Sequence, residues 1–142
     1  VGLGPAMKKI ILLFVLAVFF TAPARSATPL VDTAWIKDHI GKPNVIFLNV
    51  RGSAGVFRAG HIPGAHCLPF QGNLGSDGRF KSPEFLRQRF PGSASNVVCY
   101  CGSGITAAHN VLAMRIAGLE EPILYPGSWS EWIVDPNRPR VP

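Results

Sequence analysis

Two apolar runs in the middle of the chain set the pattern from which its fold is predicted. Asn44–Val50 and Asn96–Tyr100 each have the length of a strand, and the first shows no alternation between apolar and polar positions. A strand without alternation is typical of a sheet with both faces covered, as in parallel sheets. Both segments therefore predict buried central strands.

Three segments carry the signals that begin and end helices. Each has a polar cap or a proline at its start, or a glycine just past its end. They are Ala34–Ile40, capped by Asp32 or Thr33 and ended by Gly41; Pro83 to about Phe90, opened by Ser82; and Thr106–Ala117, stopped by Gly118.

Shorter elements fill the rest of the chain beyond residue 29. A short strand or arm is expected at Leu30-Val31, and short strands are expected within His61–Leu68, after a turn at Pro63-Gly64, and at Ile123–Tyr125. Loops are expected at Arg51–Gly60, with room for a helical turn, and at Gln71–Lys81, which is glycine-rich and exposed. A short helix is expected at Trp129–Val134, capped by Ser128. Strand and helix alternate in this order. The sequence therefore predicts an α/β fold, with a central, mostly parallel sheet, right-handed crossovers and helices on both faces.

The first 26 residues have the features of a targeting segment. Two lysines precede an apolar run, Ile10–Phe20, that is too short to cross a bilayer as a helix, and small residues follow it. This order is typical of a secretory signal peptide. We expect an N-terminal extension and signal peptide over residues 1–26, a single domain over residues 27–142, and a periplasmic location after cleavage near Ala24–Ser26. An uncleaved membrane anchor is the alternative.

Charge narrows the class of partner. The chain has 14 Lys and Arg and 8 Asp and Glu, a formal net charge of +6 at pH 7. Three of the basic residues and none of the acidic ones precede residue 27, which leaves 11 basic and 8 acidic residues, or +3, for the predicted domain. No run of Lys and Arg has interleaved aromatic residues. The charge therefore argues against nucleic acid and for small anionic substrates, with membrane contact only through the signal segment.

The cysteines have different expected roles. An exported chain meets an oxidising compartment, but three cysteines leave at least one thiol free. Cys99 and Cys101 lie two positions apart on one face of a strand, where a disulfide would need distorted geometry, and Cys67 fits a small buried hydrophobic position. We expect no structural disulfide. No His and Cys group has metal-ligand spacing, so no metal or other cofactor is expected.

Cys101 is the candidate reactive residue because of the residues that follow it. A glycine-rich loop, Cys101–Ile105, joins the second central strand to the helix Thr106–Ala117. The amino end of a helix carries about half a positive charge, and a thiol there has a lowered pKa. Gly102 and Gly104 allow the backbone to curl, so that successive N–H groups can face an anion. The sequence therefore predicts that a thiolate, or a sulfur bearing another anionic sulfur, is stabilised at Cys101.

Other interpretations of this segment are weaker. Gly102–Ala107 also fits the G-x-G-x-x-A pattern of a dinucleotide-binding turn, with Glu120 roughly where an acid is needed, but that unit normally begins its domain. Phosphate binding by a related loop would need an arginine at position 106, where the sequence has Thr. An inert buried thiol is disfavoured because the loop and the helix are both present.

Three segments together resemble the rhodanese family. They are GHIPGA at Gly60–Ala65, VVCYCGSGITA at Val97–Ala107 and PGSWSEW at Pro126–Trp132, and their order and spacing match over about residues 29–137. The chain is most similar to the catalytic domain of thiosulfate and 3-mercaptopyruvate sulfurtransferases, and its CGSGIT loop is nearer the mercaptopyruvate type. The resemblance implies a rhodanese-like three-layer domain.

The resemblance also implies a reaction. Cys101 would take a sulfane sulfur from a small donor, thiosulfate or 3-mercaptopyruvate, and pass it from a persulfide to a thiophilic acceptor such as cyanide, a thiol or a protein. The residues implied in binding substrate or persulfide are Gly102, Ser103, Gly104, Ile105, Thr106, Arg58 and His61. Arg51 and Asn49 would be structural residues near the site.

Two departures from the family bear on this prediction. Asn49 stands where the family has an aspartate, which weakens the expected pairing with Arg51. The substrate-gripping residue of the family falls near Gly55-Val56, neither of which is charged, and Arg58 is the nearest replacement. These departures keep a second hypothesis open, that of a low-turnover rhodanese-like module that carries sulfur or binds a protein partner. His61 fits a structural role and an active-site role equally.

Overall fold

The computed structural model describes residues 30–91 and 96–142. The predicted signal segment over residues 1–26 lies outside these residues. Among the described helices, none has the length and apolar character needed to cross a bilayer.

Four parallel strands form the centre of the molecule. They are β1 (Val45–Asn49), β2 (His66–Cys67), β3 (Asn96–Tyr100) and β4 (Ile123–Leu124), arranged in the sheet as β2-β1-β3-β4. β1 and β3 pair along their whole length, so that Asn49 lies beside Tyr100 at the carboxyl end. Leu30 adds one parallel bridge to Leu124. The predicted α/β fold with a parallel sheet is confirmed.

Five α-helices and one 3₁₀ helix surround this sheet in the described residues. They are α1 (Thr33–His39), α2 (Ala54–Arg58), a 3₁₀ helix (Phe70–Asn73), α3 (Pro83–Arg89), α4 (Ile105–Ile116) and α5 (Ser128–Trp132). Side chains of Asp32, Ser53 and Ser82 cap α1, α2 and α3 by accepting a backbone N–H of the first turn. These caps supply partners that the free N–H groups of a helix start otherwise lack.

The sheet separates two apolar cores. On one face, α3 and α4 pack Leu86 and Met114 against Leu48 and Cys99. On the other face, α1 and α5 pack Ile36 and Trp132 against sheet residues that include Val98. Successive residues of the central strands thus point into different cores, which is why neither strand alternates between apolar and polar positions.

The segment predicted as a surface loop at Gln71–Lys81 is more ordered than the sequence indicates. It begins within the 3₁₀ helix, and Leu74 and Phe80 form an antiparallel bridge. Asn73 is fully buried, and its side-chain amide donates to Asn110 Oδ1 at 2.6 Å and accepts from Arg89 Nε at 3.0 Å. These bonds fix the segment to α3 and α4.

The C-terminal segment returns across the molecule to the loop that follows α2. Backbone bonds join His61 N–H to Val141 O at 2.9 Å and Val141 N–H to His61 O at 3.1 Å. Trp132 donates from Nε1 to Pro139 O at 2.9 Å. The segment beyond α5 is therefore fastened at two points.

Candidate active site

Cys101 lies directly after β3 at the carboxyl end of the sheet, and its loop leads into α4. The residue is only 1% exposed. In open α/β sheets, ligands bind in the crevice beyond the carboxyl ends of the strands. The fold therefore places this thiol where binding sites are expected.

Hydrogen-bond donors converge on the sulfur of Cys101. The Gly104 N–H donates to Sγ at 3.0 Å. The Thr106 hydroxyl and the N–H groups of Ala107 and Ser103 also face this sulfur as donors that lower its pKa. We call these four residues (Ser103, Gly104, Thr106 and Ala107) the donor ring. It presents partial positive charge to the sulfur from neutral groups alone.

Two opposing effects set the pKa of Cys101. Burial, the largest single effect, raises it, and the hydrogen bonds from Thr106, Ala107, Ser103 and Gly104 lower it. The hydrogen bonds together prevail, so the pKa of Cys101 lies below the ordinary value of a thiol. Cys99 has no such donors, and burial raises its pKa to about 12. The loop therefore lowers the pKa of Cys101 but not that of Cys99, which lies two positions earlier.

Gly104 is required by the shape of the loop. Its φ is +89°, and a Cβ at this position would lie 2.4 Å from the carbonyl oxygen of Pro126. Both the left-handed backbone and the close approach exclude a side chain. Gly102 differs, since a Cβ there would meet nothing within 4 Å.

Ser128 is a site residue that the sequence did not reveal. It was expected to cap the last helix, but Gly127 occupies the cap position and no side-chain capping bond is present. The fully buried Ser128 hydroxyl instead accepts the Cys101 N–H at 3.1 Å and donates to Tyr125 O at 2.9 Å. Its oxygen lies 4.0 Å from Cys101 Sγ.

The start of α5 supports the loop from outside. The Trp129 N–H donates to Cys101 O at 2.9 Å, and the Ser130 N–H donates to Gly102 O at 2.9 Å. The carbonyls of Cys101 and Gly102 therefore have partners in α5. The PGSWSEW segment thus holds the glycine-rich loop in its curled form.

Arg51 joins three parts of the site. Its Nε and backbone N–H both donate to Asn49 Oδ1 at 3.1 Å, and its Nη2 donates to Gly60 O. The guanidinium carbon lies 4.7 Å from the centre of a Trp129 ring. Asn49 is therefore still a partner of Arg51, although it offers a neutral amide oxygen where an aspartate would offer a charge.

The remaining predicted site residues lie around this centre. Ser103 is exposed on the loop, Ile105 is exposed at the first position of α4, and Arg58 is exposed at the last position of α2. His61 is 8% exposed, stacks on Phe57 with ring centroids 3.7 Å apart and bonds through Nδ1 to Phe57 O. These contacts are those of a structural histidine. Roles for Arg58 and His61 in substrate binding stay predictions.

Among the described residues, His, Cys, Asp and Glu form no group of three or more suited to a metal ion. Cys67, Cys99 and Cys101 are all free thiols. The chemistry that the arrangement supports is that of a sulfur nucleophile surrounded by hydrogen-bond donors.

Comparison with known proteins agrees with this geometry. The model of the rhodanese-like domain family matches residues 32–135. A protein of Pseudomonas aeruginosa named probable 3-mercaptopyruvate sulfurtransferase is 47% identical over 127 residues, which cover 80% of this chain and 44% of that protein. The thiosulfate sulfurtransferase of Cricetulus griseus is 40% identical over 78 residues, covering 52% of this chain and 26% of that protein. The chain thus spans less than half the length of either relative.

A solved structure supports the fold. The Tum1 protein of Saccharomyces cerevisiae superposes with a TM-score of 0.67 at 22% identity, over 75% of this chain and 43% of that one. The family match covers most of the described residues, including the Cys101 loop and the start of α5. The chain therefore belongs to the rhodanese-like domain family.

Proposed function

We propose that the chain is a sulfurtransferase that carries sulfur as a persulfide on Cys101. The observation that carries this proposal is the convergence of the donor ring on Sγ, which lowers the pKa of the thiol. A thiolate is the nucleophilic form of cysteine, and the same donors can stabilise a second, anionic sulfur. The names of the sulfurtransferase relatives support the same reaction.

The transfer has two steps in which charge and atoms balance. The Cys101 thiolate attacks the outer sulfur of thiosulfate or the thiol sulfur of 3-mercaptopyruvate, forming an S–S bond while the S–S or C–S bond to the donor remainder breaks. Thiosulfate would leave as sulfite, and 3-mercaptopyruvate would leave as pyruvate after its carbon takes a proton. Cyanide or a thiolate then attacks the outer sulfur, the S–S bond breaks, and the Cys101 thiolate is restored.

The donor ring acts differently in the two states of the cysteine. Before transfer it stabilises the thiolate, and after transfer the charge is on the outer sulfur, further toward the opening of the loop. Because Cys101 is only 1% exposed, a donor must bring its sulfur into this opening. A small, anionic donor fits this requirement and the mildly basic charge of the domain. Of the two donor classes, 3-mercaptopyruvate is supported by the more identical relative.

We also propose that residues 1–26 direct export, so that transfer takes place in the periplasm. The lysines, the short apolar run and the small residues after it support this proposal. The test is to express the full chain in a Gram-negative host and to locate it after fractionation. Recovery of an uncleaved protein from the cytoplasm would contradict it.

The enzymatic proposal is tested by thiocyanate release. The purified protein is given cyanide with thiosulfate or with 3-mercaptopyruvate, and we expect turnover that Cys101→Ser abolishes. Cys67→Ser is the matched control, because this thiol is half-buried and outside the donor ring. A Cys101→Ser protein with unchanged turnover would overturn the proposal. A protein that is loaded with sulfur on Cys101 but shows no turnover would favour the low-turnover carrier instead.

A further inference from the structure

Arg51 carries a charge that no carboxylate in the described part of the chain neutralises. Its partners are the side-chain oxygen of Asn49, the carbonyl of Gly60 and the face of Trp129. All three are neutral. The two ion pairs formed within residues 30–91 and 96–142 are Arg115 with Glu121 and Arg138 with Asp135. A half-buried cation whose bonding partners are all neutral keeps its net positive charge.

Asn49 is the reason that this charge is not neutralised. Its side chain is fully buried beside Arg51 and is bonded at both ends, since Oδ1 accepts from Arg51 and Nδ2 donates to the Tyr100 hydroxyl at 3.0 Å. An aspartate has the same shape and would meet the same arginine with a negative charge. The amide nitrogen of Asn49 stands where an aspartate would have its second oxygen. The pair of Asn49 and Arg51 therefore keeps a net positive charge.

Arg51 and Cys101 share neighbouring residues in the structure. Asn49 is paired with Tyr100 across the sheet, and Cys101 follows Tyr100. Trp129 links the two residues, because its ring lies on the Arg51 guanidinium and its N–H donates to the backbone carbonyl of Cys101. The interactions that act on the pKa of Arg51 are consistent with this placement. Burial lowers that pKa most, and Tyr100, Cys67 and Cys101 raise it.

We propose that Asn49 keeps Arg51 free of a carboxylate partner so that the guanidinium charge stabilises the anionic sulfur on Cys101. The donor ring then supplies directed hydrogen bonds, and Arg51 supplies the net positive charge that the ring lacks. Both Asn49 and Arg51 act as positioning residues, since neither is in hydrogen-bond contact with the sulfur. The proposal deepens the proposed function, because it assigns an electrostatic partner to the sulfur carrier.

Other charged or titratable groups around the thiol do not take this role. Tyr100 and Cys99 are buried, and burial raises the pKa of each to about 12, so both are neutral at pH 7. Glu131 on α5 is acidic, and its carboxylate bonds to the Thr33 hydroxyl and lies close to Gly127. Cys67 on β2 is a half-buried thiol that bears no positive charge. Of the basic residues predicted at the site, Arg58 is exposed at the end of α2, and His61 bonds to Phe57 O and stacks on the Phe57 ring. Arg51 is the one that bonds to the end of β1 and contacts Trp129, both of which adjoin Cys101.

The test measures the pH at which Cys101 alkylation by iodoacetamide is half-maximal, with the labelled residue identified by mass spectrometry. Asn49→Asp should move this midpoint upward by about one pH unit, because the new carboxylate neutralises Arg51. Asn44→Asp is the matched control, since it makes the same change at the exposed opposite end of β1 and should leave the midpoint in place. Arg51→Gln should also raise the midpoint, and Arg51→Lys should restore most of the wild-type value.

The outcomes separate this proposal from the function on which it rests. Equal midpoints for Asn49→Asp and Asn44→Asp would overturn it, as would a wild-type midpoint in a folded Arg51→Gln protein. Where Arg51→Gln does not fold, the two asparagine variants decide, because both retain the arginine. Alkylation needs only the thiol. A shift in the midpoint without thiocyanate release would therefore sustain the electrostatic proposal while contradicting sulfur transfer.

Discussion

At the scale of single residues, two thiols of the same strand region differ because their hydrogen-bond donors differ. Cys99 is surrounded by apolar side chains, whereas Cys101 lies at the point where N–H groups turn inward. A buried thiol without donors ionises late, and a buried thiol with several donors ionises early. Burial alone therefore does not decide which cysteine reacts.

This difference predicts selective labelling. Between pH 6 and 9, iodoacetamide should label Cys101 with a half-maximal pH below that of a free thiol, about 8.5, while Cys99 stays unlabelled in the folded protein. Because the donor ring covers Cys101 Sγ, alkylation will be slower than that of an exposed thiolate. The pH dependence of the alkylation rate still reports the pKa of Cys101. Peptide mapping after timed quenching gives both values. Labelling of Cys99 at a comparable rate would contradict the prediction.

The two loop glycines provide a matched pair of substitutions. Gly104→Ala places a Cβ against the Pro126 carbonyl and strains a left-handed backbone, so we expect a loss of about 2–4 kcal/mol in the free energy of unfolding and loss of sulfur transfer. Gly102→Ala enters open space and should change the unfolding free energy by less than about 1 kcal/mol. Urea denaturation compares the two. Equal stability in both variants would show that the loop tolerates a side chain at Gly104.

Ser128 offers a second residue-level test. Ser128→Ala removes the acceptor of the buried Cys101 N–H, which should cost about 1–3 kcal/mol in unfolding free energy. Ser128→Gly should cost less, because it relieves the positive φ of +53° at this position. Ser76→Ala is the control, since it makes the same change at an exposed turn far from the loop. Urea titration compares the three variants, and equal losses in Ser128→Ala and Ser76→Ala would contradict the role of the Ser128 hydroxyl.

Sequence alone indicated Cys101 and its glycines but could not indicate Ser128. The first signal is local, since a strand, two glycines and a helix start follow one another along the chain. The role of Ser128 depends on its left-handed backbone and on a partner in another element, and neither leaves a local pattern. Its position in the PGSWSEW segment fitted an ordinary helix cap equally well.

At the scale of elements, the segment between β2 and α3 is held by polar contacts. Glycines and polar residues made it resemble an exposed loop, and residues 76–79 are indeed exposed. Asn73, however, turns inward to Asn110, His109 and Arg89. Hydrophobic periodicity cannot predict a buried asparagine, because such a residue is recognised only by the partners that satisfy its amide.

This network predicts a large effect from one substitution. Asn73→Ala would leave Asn110 Oδ1 and Arg89 Nε without their present partner, so we expect the free energy of unfolding to fall by about 2–4 kcal/mol. Asn137→Ala, in the exposed C-terminal segment, is the matched control and should have little effect. Chemical denaturation followed by tryptophan fluorescence makes the comparison. A similar midpoint in both variants would mean that water replaces the network at no cost.

At the scale of the whole molecule, the site follows from the arrangement of the sheet. Apolar runs predicted central parallel strands, and parallel strands place their carboxyl ends at one edge. There the sheet brings Asn49 and Tyr100 side by side, with Cys101 next along the chain. The sequence therefore predicted the fold and the candidate cysteine, whereas the partners of Arg51 depended on loops from distant parts of the chain.

Buried ionisable groups also make the stability of the whole fold sensitive to alkali. The pKa of Cys99 is raised from about 9 to about 12 by burial, so the unfolded state loses its proton first as pH rises. The contribution of this group is thus fully present below about pH 9 and is lost between pH 9 and 12. We expect the free energy of unfolding to fall over this range, and to fall less in Cys99→Ala. Urea titrations at pH 8, 9.5 and 11 measure it, and parallel curves would refute the assignment.

The bridge between His61 and Val141 has a mechanical consequence. His61 directly follows Gly60, whose carbonyl oxygen accepts a hydrogen bond from Arg51. Tension applied to the segment around Val141, by a fused protein or a bound partner, would therefore act on the residue next to the carbonyl that Arg51 binds. Displacing this segment would remove both backbone bonds of His61 without touching any residue of the donor ring.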